Sequence, residues 1–424
     1  MTPPPGALHR ALDAALMLFA VGAALNLASG QAALALLALL LLYGVFRRDP
    51  DVRSALSRLG PAGAAATALV LVFAWSSVIT QAPFPGWFDA TRWRPLVGVV
   101  LGGWALAVCG PPTAARVVWV FALGCAGHAL VGLYQARTGD APLAVLLQVP
   151  PERWRTPAPD NPSLFSAVGL FYNRVRLSHV LAAGAGVAVA AAVFLQGWRR
   201  VAALGAFVTS AAGLFFTYGR AALGALAVTV VLFVTVAALR GAGRVRVQLL
   251  AGGFVLLLAL GAAGAAVPSV RARMSTALDV SRNQDRLFLW GRGSEMAMDH
   301  APHGTGFGGY GIVRDAYYDR VDPSFESRSM SHHLPLSLLA ETGLWGLTAW
   351  LWMWWELYRR AWAQRGLAAV CGAMGATTFH AATLAHDPLY QSECALAWAL
   401  CGALMMAAYR DDAGTPVVLQ AQAS

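Results

Sequence analysis

Apolar runs near ~20 residues recur along the chain, each long enough to cross a hydrocarbon layer. Twelve are predicted, near residues 11–29, 31–46, 62–80, 95–110, 114–136, 174–197, 201–218, 221–239, 246–267, 334–357, 366–384 and 389–409. Lipid offers no partner to a free backbone N–H or C=O, so a spanning segment is a helix or part of a closed barrel. The runs lack two-residue alternation, which excludes a barrel. The pattern predicts an all-α integral membrane protein of about twelve transmembrane helices, one polytopic domain over residues 1–424.

The connections alternate in arginine. Arg47, Arg48, Arg53 and Arg58 follow the second run, Arg116 the fourth, and Arg199 and Arg200 the sixth. Arg240, Arg244 and Arg246 follow the eighth, and Arg359, Arg360 and Arg365 the tenth. Short basic loops stay in the cytoplasm, so both termini are expected there and the other connections face outward. Two of those are long. Residues 137–173 carry Pro142, Pro150, Pro151, Pro157, Pro159 and Pro162 and are expected to be mostly irregular. Residues 268–333 form the largest extramembrane segment, and within it Arg286 to Met298 is predicted as a short amphipathic helix with Leu287, Phe288, Leu289 and Trp290 near the interface. Trp75, Trp87, Trp93, Trp345 and Trp352 suit interfacial belts.

Composition agrees: 58% of residues are apolar and 12% charged, where a soluble domain carries about 25% charge. Membrane lipids are the expected surroundings, with no nucleic acid partner. All 31 basic residues are arginine, and the net charge is +10. The cytoplasmic loop bias is the simpler account of that excess. Recognition of an anion is the other, because a guanidinium binds phosphate through a planar fork. Cys109, Cys125, Cys371, Cys394 and Cys401 lie in apolar runs and are expected as free, buried thiols. No small-residue cleavage site follows the first run, so no removable leader is expected.

Candidate chemistry gathers at the outward ends of the runs. Arg174 and Arg176 open the sixth run, and Arg220 lies in a very short outward turn, Thr217-Tyr218-Gly219-Arg220. Snorkelling accounts for Arg176 equally well. At Arg220 the charge rule selects against arginine, which favours a bound anion there. Arg286 serves equally as a solvated loop charge, whereas Arg271, Arg273, Arg282, Arg292, Arg314, Arg320 and Arg328 are expected to be solvated or paired with carboxylates. Gly304-Thr305-Gly306-Phe307-Gly308-Gly309-Tyr310 lacks the strand and helix of a phosphate-cradling loop, and a tight turn resting on the membrane is expected. His332 lies where polar loop meets apolar helix, and a neutral imidazole there accepts a proton near neutral pH. His333 is its neighbour, and Glu341 is expected one to two turns below on the same helix, orienting His332 or Arg220 or pairing elsewhere in the bundle. His128, His179, His380 and His386 are expected to be structural. No Asp-x-Asp or Cys/His set at ligand spacing occurs in the outward loops, so no metal and no cofactor is expected.

Taken together, these pieces resemble a family. His332 followed by Leu336, Leu339, Glu341, Gly343 and Gly346 is similar to the His-Asn-x-x-Leu-x-x-Leu-x-Glu-x-Gly-x-x-Gly signature of the O-antigen ligase/polymerase superfamily, with His333 in place of Asn. Gly304 to Tyr310 resembles the glycine-rich run that precedes that signature. Phe171-Tyr172-Asn173-Arg174 resembles its Asn-Arg opening of a span, and Thr217-Tyr218-Gly219-Arg220-Ala221 its Ser-Arg-Gly turn with Gly219 for Ser. Arg286 with Trp290 resembles its Arg-x-x-x-Trp. The resemblance covers residues 164–360. It implies a GT-C-like helical glycosyltransferase of the bacterial inner membrane, with a periplasmic active site under a large loop containing short helices. It also implies an undecaprenyl-pyrophosphate-linked glycan as donor and, for a ligase, a lipid A-core sugar hydroxyl as acceptor. His332 would then be the catalytic base. Arg174, Arg220 and Arg286 would bind the pyrophosphate, with His333, Glu341 and Arg176 in support and inverting, metal-free chemistry. O-antigen polymerase and protein O-oligosaccharyltransferase are alternatives within the superfamily. A transporter of lipid-linked glycan or another anion is the rival from another class, although neither internal repeats nor mid-bilayer helix breaks are evident in the sequence.

Overall fold

The computed structural model describes residues 6–79, 92–158, 161–240, 284–318, 330–364 and 366–407, with isolated positions between 253 and 271. The predicted span 246–267 falls largely outside these residues, as do Trp87, Arg244, Arg246, Arg273, Arg282, Arg320, Arg328 and Arg365. Every other predicted span is a helix. In chain order the helices are α1 (Ala7–Leu25), α2 (Leu27–Phe46), the short α3 (Pro50–Arg58), α4 (Gly60–Ile79), α5 (Val97–Cys109) and α6 (Pro111–Thr138). There follow α7 (Arg174–Phe194), α8 (Gly197–Phe216), α9 (Arg220–Arg240), α10 (Gln284–His300), α11 (Leu334–Gln364), α12 (Leu367–Thr383) and α13 (Ser392–Met406). Among the described residues seven helices, α1, α2, α4, α6, α7, α8 and α9, are long and apolar enough to cross a membrane. The chain is an all-α, multi-pass membrane protein. The predicted amphipathic helix after residue 285 is α10, with Leu289 buried and Leu287 half exposed.

Local polar signals set the helix ends. Asn26 accepts from Ala28 N–H at 2.7 Å and divides α1 from α2, several residues before the expected break. Asp49 caps α3 through Asp51 and Val52 N–H, with Pro50 in the first turn and Arg58 in the last. Asn173 caps α7 by accepting from Val175 and Arg176 N–H. The segment 137–173, expected to be mostly irregular, holds short helical turns at Pro142–Leu146 and Pro151–Trp154. It also holds a two-stranded antiparallel ribbon, β1 (Pro157–Ala158) with β2 (Asn161–Phe165).

The chain divides into two compact units. The first comprises Met1–Val120, Asn283–Ala373 and Thr383–Ser424. At its centre α13 is buried from Glu393 through Met406 and packs on α5, α1 and α11. Trp398 of α13 meets Trp350 and Trp354 of α11, with ring centroids 4.6 and 5.5 Å apart. Close approach rests on small residues: a Cβ at Gly98 or Gly102 would press on the Phe19 ring. Lipid gives helices no hydrophobic reason to associate, so such small-residue contacts carry the packing. Helix α11 bends at Gly343, whose φ of 62° and ψ of −161° are non-helical.

The second unit comprises Phe121–Arg282 and Met374–Ala382. Its central helix is α7, buried almost throughout its apolar length, with α8 and α9 against it. A Cβ on Gly184 would collide with Cys125, and one on Gly213 with Ala129. The five cysteines are free, four buried and Cys109 partly so, as expected.

Candidate functional site

In the first unit the chain enters α11 through Ser331-His332-His333. His332 is not on the helix. It lies in the bend before it, with a left-handed φ of 53°, a conformation uncommon for a bulky residue and often found at functional positions. The two imidazoles then go separate ways. His333 precedes the first helical residue, and its Nδ1 accepts from Leu336 N–H at 3.4 Å while its carbonyl accepts from Ser337 N–H. That is an N-cap, the role asparagine commonly fills. Its ring also meets Trp290 of α10 edge-on, centroids 5.6 Å apart. His332 turns toward the connection between α12 and α13, where its ring lies 4.9 Å from that of His386.

Asp387, next in that connection, is buried and anchors the bend. Its Oδ1 accepts from Ser337 Oγ at 3.1 Å, and the backbone N–H groups of His332 and His333 face the same carboxylate. Ser331 and Ser337 hydroxyls are 2.7 Å apart, and His333 N–H donates to Ser331 Oγ. Ser331 Oγ also lies 3.0 Å from His333 O, so the two serines tie the bend to the Asp387 carboxylate. Burial pushes Asp387 up to about 7, against the pull of Ser337, the His332 N–H and Arg286. Arg286 opens α10, and its Nη1 donates to Ala385 O at 2.6 Å. Burial, and then the Arg286 charge, hold His332 below the usual imidazole value, so the ring is neutral near neutral pH.

Glu341 is on α11 but does not meet His332. Its Oε1 accepts from Tyr310 N–H at 3.0 Å and its Oε2 from Tyr390 Oη at 2.6 Å, and Gly308 N–H faces it too. Of the three expectations, orienting His332, orienting Arg220 or pairing elsewhere, it pairs elsewhere. The glycine-rich run is not a phosphate cradle, because its N–H groups are taken up by α11 and α4. It closes the α11 bend: Thr305 N–H donates to Ala340 O, Gly306 N–H to Glu341 O, and Leu344 N–H to Pro302 O. Phe307 N–H reaches Ser76 on α4. A Cβ on Gly304 or Gly343 would strike the opposing backbone, and both have positive φ. The bend frees helix carbonyls, and the loop satisfies them.

In the second unit the helix starts that carry Arg174, Arg176 and Arg220 lie beside one another. Arg174 begins α7 and Arg220 begins α9, and these helices pack side by side. A Cβ on Gly219 would lie 2.7 Å from Ser178 Cβ, which explains why this turn carries glycine rather than serine. Both helices start after a tyrosine in left-handed backbone, Tyr172 at φ 49° and Tyr218 at φ 57°. Two guanidinium-bearing helix N-termini at one edge favour an anion.

Residues 205–351 match the family described as O-Antigen ligase. This stretch is similar to the O-antigen ligase family. It contains Arg220, Arg286, His332, His333 and Glu341, and begins after Arg174 and Arg176. A comparison with curated proteins gives no match. The match supports an O-antigen ligase or polymerase type of function.

Among the other expected positions, Arg292 pairs with Glu295 at 2.5 Å and Arg314 with Asp315 at 3.2 Å. His128 accepts from Leu170 N–H at 2.7 Å, a structural role as expected. His386 is expected from sequence to be structural, and Asp387 is a site neighbour that sequence reasoning missed. Its signal was present in His386-Asp387-Pro388, a polar break between two apolar runs. Among the described residues the one grouping with metal-ligand spacing is His9, Asp49 and Asp51, which shares no residue with the His332 cluster.

Proposed function

We propose that this protein is an O-antigen ligase of the bacterial inner membrane. It transfers a glycan from undecaprenyl pyrophosphate to a sugar hydroxyl of the lipid A core at the periplasmic face. The reading includes a GT-C-like bundle of about twelve spans with both termini in the cytoplasm, and an inverting, metal-independent reaction. His332 accepts the proton of the acceptor hydroxyl as its oxygen attacks the anomeric carbon. The bond from that carbon to the pyrophosphate breaks, and undecaprenyl pyrophosphate leaves with the electron pair. Arg174, Arg220 and Arg286 hold the pyrophosphate and stabilise the charge developing on it. His333 caps α11, and Glu341 fixes the loop that closes its bend. Arg176 adds positive charge beside Arg174.

The observation that supports this reading best is the setting of His332: a neutral, half-buried imidazole in left-handed backbone, with its bend anchored by Asp387 and Arg286 nearby, inside the matched domain. A neutral base held rigidly is what proton removal from a weakly acidic hydroxyl requires. The test is transfer in detergent from a purified lipid-linked glycan to lipid A-core. Wild-type protein forms the new glycosidic bond and His332→Ala does not. Elongation of the lipid-linked glycan without capping of the core would make it a polymerase, and glycan appearing on Ser or Thr a protein oligosaccharyltransferase. No new bond under any pairing, with glycan moved across proteoliposomes, would leave a transporter.

A further inference from the structure

In the second unit, two buried polar side chains on α6 reach beyond their own helix. Gln135 and His128, 3% and 0% exposed, both reach the turn 167–171 that delivers Arg174. Gln135 Oε1 accepts from Gly169 N–H at 2.7 Å and Val168 N–H at 3.3 Å, and its Nε2 donates to Gly169 O at 3.2 Å. His128 Nε2 accepts from Leu170 N–H at 2.7 Å, and its ring meets Phe171 edge-on at 4.5 Å. Gly169 has a φ of 61°, and a Cβ there would collide with the His128 ring. The same turn is tied to the helix before Arg220: Ala167 N–H donates to Phe216 O at 2.8 Å. Ala158 of the ribbon packs on Tyr218 and Phe215. One irregular segment therefore fixes both the start of α7 and the end of α8, and α6 holds that segment by its backbone.

We infer that Gln135 and His128 are positioning residues for the anion edge formed by Arg174, Arg176 and Arg220. They set the spacing between the two arginine-bearing helix starts while remaining buried themselves. A helix-lining pair with only a packing role has no need to satisfy three consecutive backbone N–H groups of a turn. Buried, those donors are costly to leave unpaired, so the turn holds its shape only while both side chains are present. The inference rests on the proposed role of these arginines in holding the donor pyrophosphate.

The test is steady-state transfer with donor and acceptor varied separately, on the full-length protein. Gln135→Met keeps the volume and removes both acceptor and donor. It is expected to raise the donor KM about tenfold, with the acceptor KM unchanged. His128→Phe is expected to do the same, while His128→Gln, whose amide oxygen replaces Nε2, stays close to wild type. Should Gln135→Met yield no folded protein, Gln135→Asn, which withdraws the amide by one methylene, gives the same split. Arg220→Ala provides the reference. If it leaves the donor KM unchanged, the arginine reading itself fails. If it raises the donor KM and the α6 variants only lower kcat with both KM values unchanged, the positioning assignment is overturned.

Discussion

Asparagine placed in turn at 332 and at 333 separates the two adjacent imidazoles. Asparagine tolerates left-handed backbone better than most residues, so His332→Asn preserves the bend at φ 53° and removes only the imidazole. At 333 the native Nδ1 caps α11 through Leu336 N–H, and an asparagine Oδ1 does that as well or better. The substitutions therefore leave backbone and capping in place and differ in chemistry. Removing a positioned general base costs about two to four orders of magnitude in rate. His332→Asn is thus expected to reduce transfer by at least about a hundredfold with its melting temperature near wild type. His333→Asn is expected to transfer at nearly the native rate. It gives up the edge contact with Trp290, about 0.5–1.5 kcal/mol.

His333→Ala sharpens the comparison. It loses the cap, about 1 kcal/mol, in addition to the Trp290 contact, so it should unfold earlier than His333→Asn while still transferring glycan. Transfer from lipid-linked donor in detergent, read beside fluorimetric melting of the same preparations, gives both quantities. An inactive His333→Asn with an active His332→Asn would move the base by one residue and refute the assignment drawn from the cap.

Three other outcomes follow from the same cluster. Arg286 lowers the His332 pKa, and only neutral imidazole accepts a proton, so activity falls as pH drops through that pKa. In Arg286→Gln the acid limb of kcat/KM should move to higher pH, and an unmoved limb would show that Arg286 does not act on His332. Tyr390→Phe removes the 2.6 Å bond to Glu341 and should cost about 1.5–3 kcal/mol, seen as a lower unfolding midpoint. Full stability would mean that the loop closing the α11 bend does not depend on that carboxylate pair. Excess EDTA should leave transfer intact, and a loss restored by a divalent ion would overturn the metal-free mechanism.

Helix placement was legible because lipid demands long apolar runs, and eleven of the predicted spans meet helices in the structure. The ends were less legible. Asn26 ends α1 early through one side-chain bond, and hydropathy does not register a single cap. The bend in α11 was hidden as well, because its carbonyl partners come from a loop about 35–40 residues earlier in the chain. The same distance effect governs the site. His332 was visible from its spacing to Glu341, yet the groups around it, His386 and Asp387, lie about 50 residues on. The ambiguity between His332 and His333 yields only to tertiary geometry, since one ring caps a helix and the other does not. Glu341 was visible as a costly carboxylate in an apolar run, but its partners, Tyr310 and Tyr390, were not.

Three helices that carry proposed site residues begin in the same way. Tyr172 precedes Asn173 and Arg174, Tyr218 precedes Gly219 and Arg220, and His332 precedes His333 and Leu334. Each of the three leading residues is left-handed without being glycine. Such backbone costs about 1–2 kcal/mol for an L-residue, so some other term must exceed it. At Tyr218 that term is burial: the side chain is 4% exposed and packs on Ala158 and Phe215, and truncating a buried aromatic costs about 3–5 kcal/mol. Tyr218→Gly should therefore destabilise the protein by about 1–4 kcal/mol even though it relieves the backbone. At His332 the exposed fraction is larger and no comparable burial offsets the strain. The Asp387 carboxylate anchors the bend that carries His332, accepting from Ser337 Oγ at 3.1 Å with the His332 N–H facing it. Asp387→Leu should then let the bend relax. Transfer would fall with His332 still present, and the imidazole resonances of His332 should shift. A variant with native transfer and an unshifted His332 would show that the bend is held by something other than Asp387.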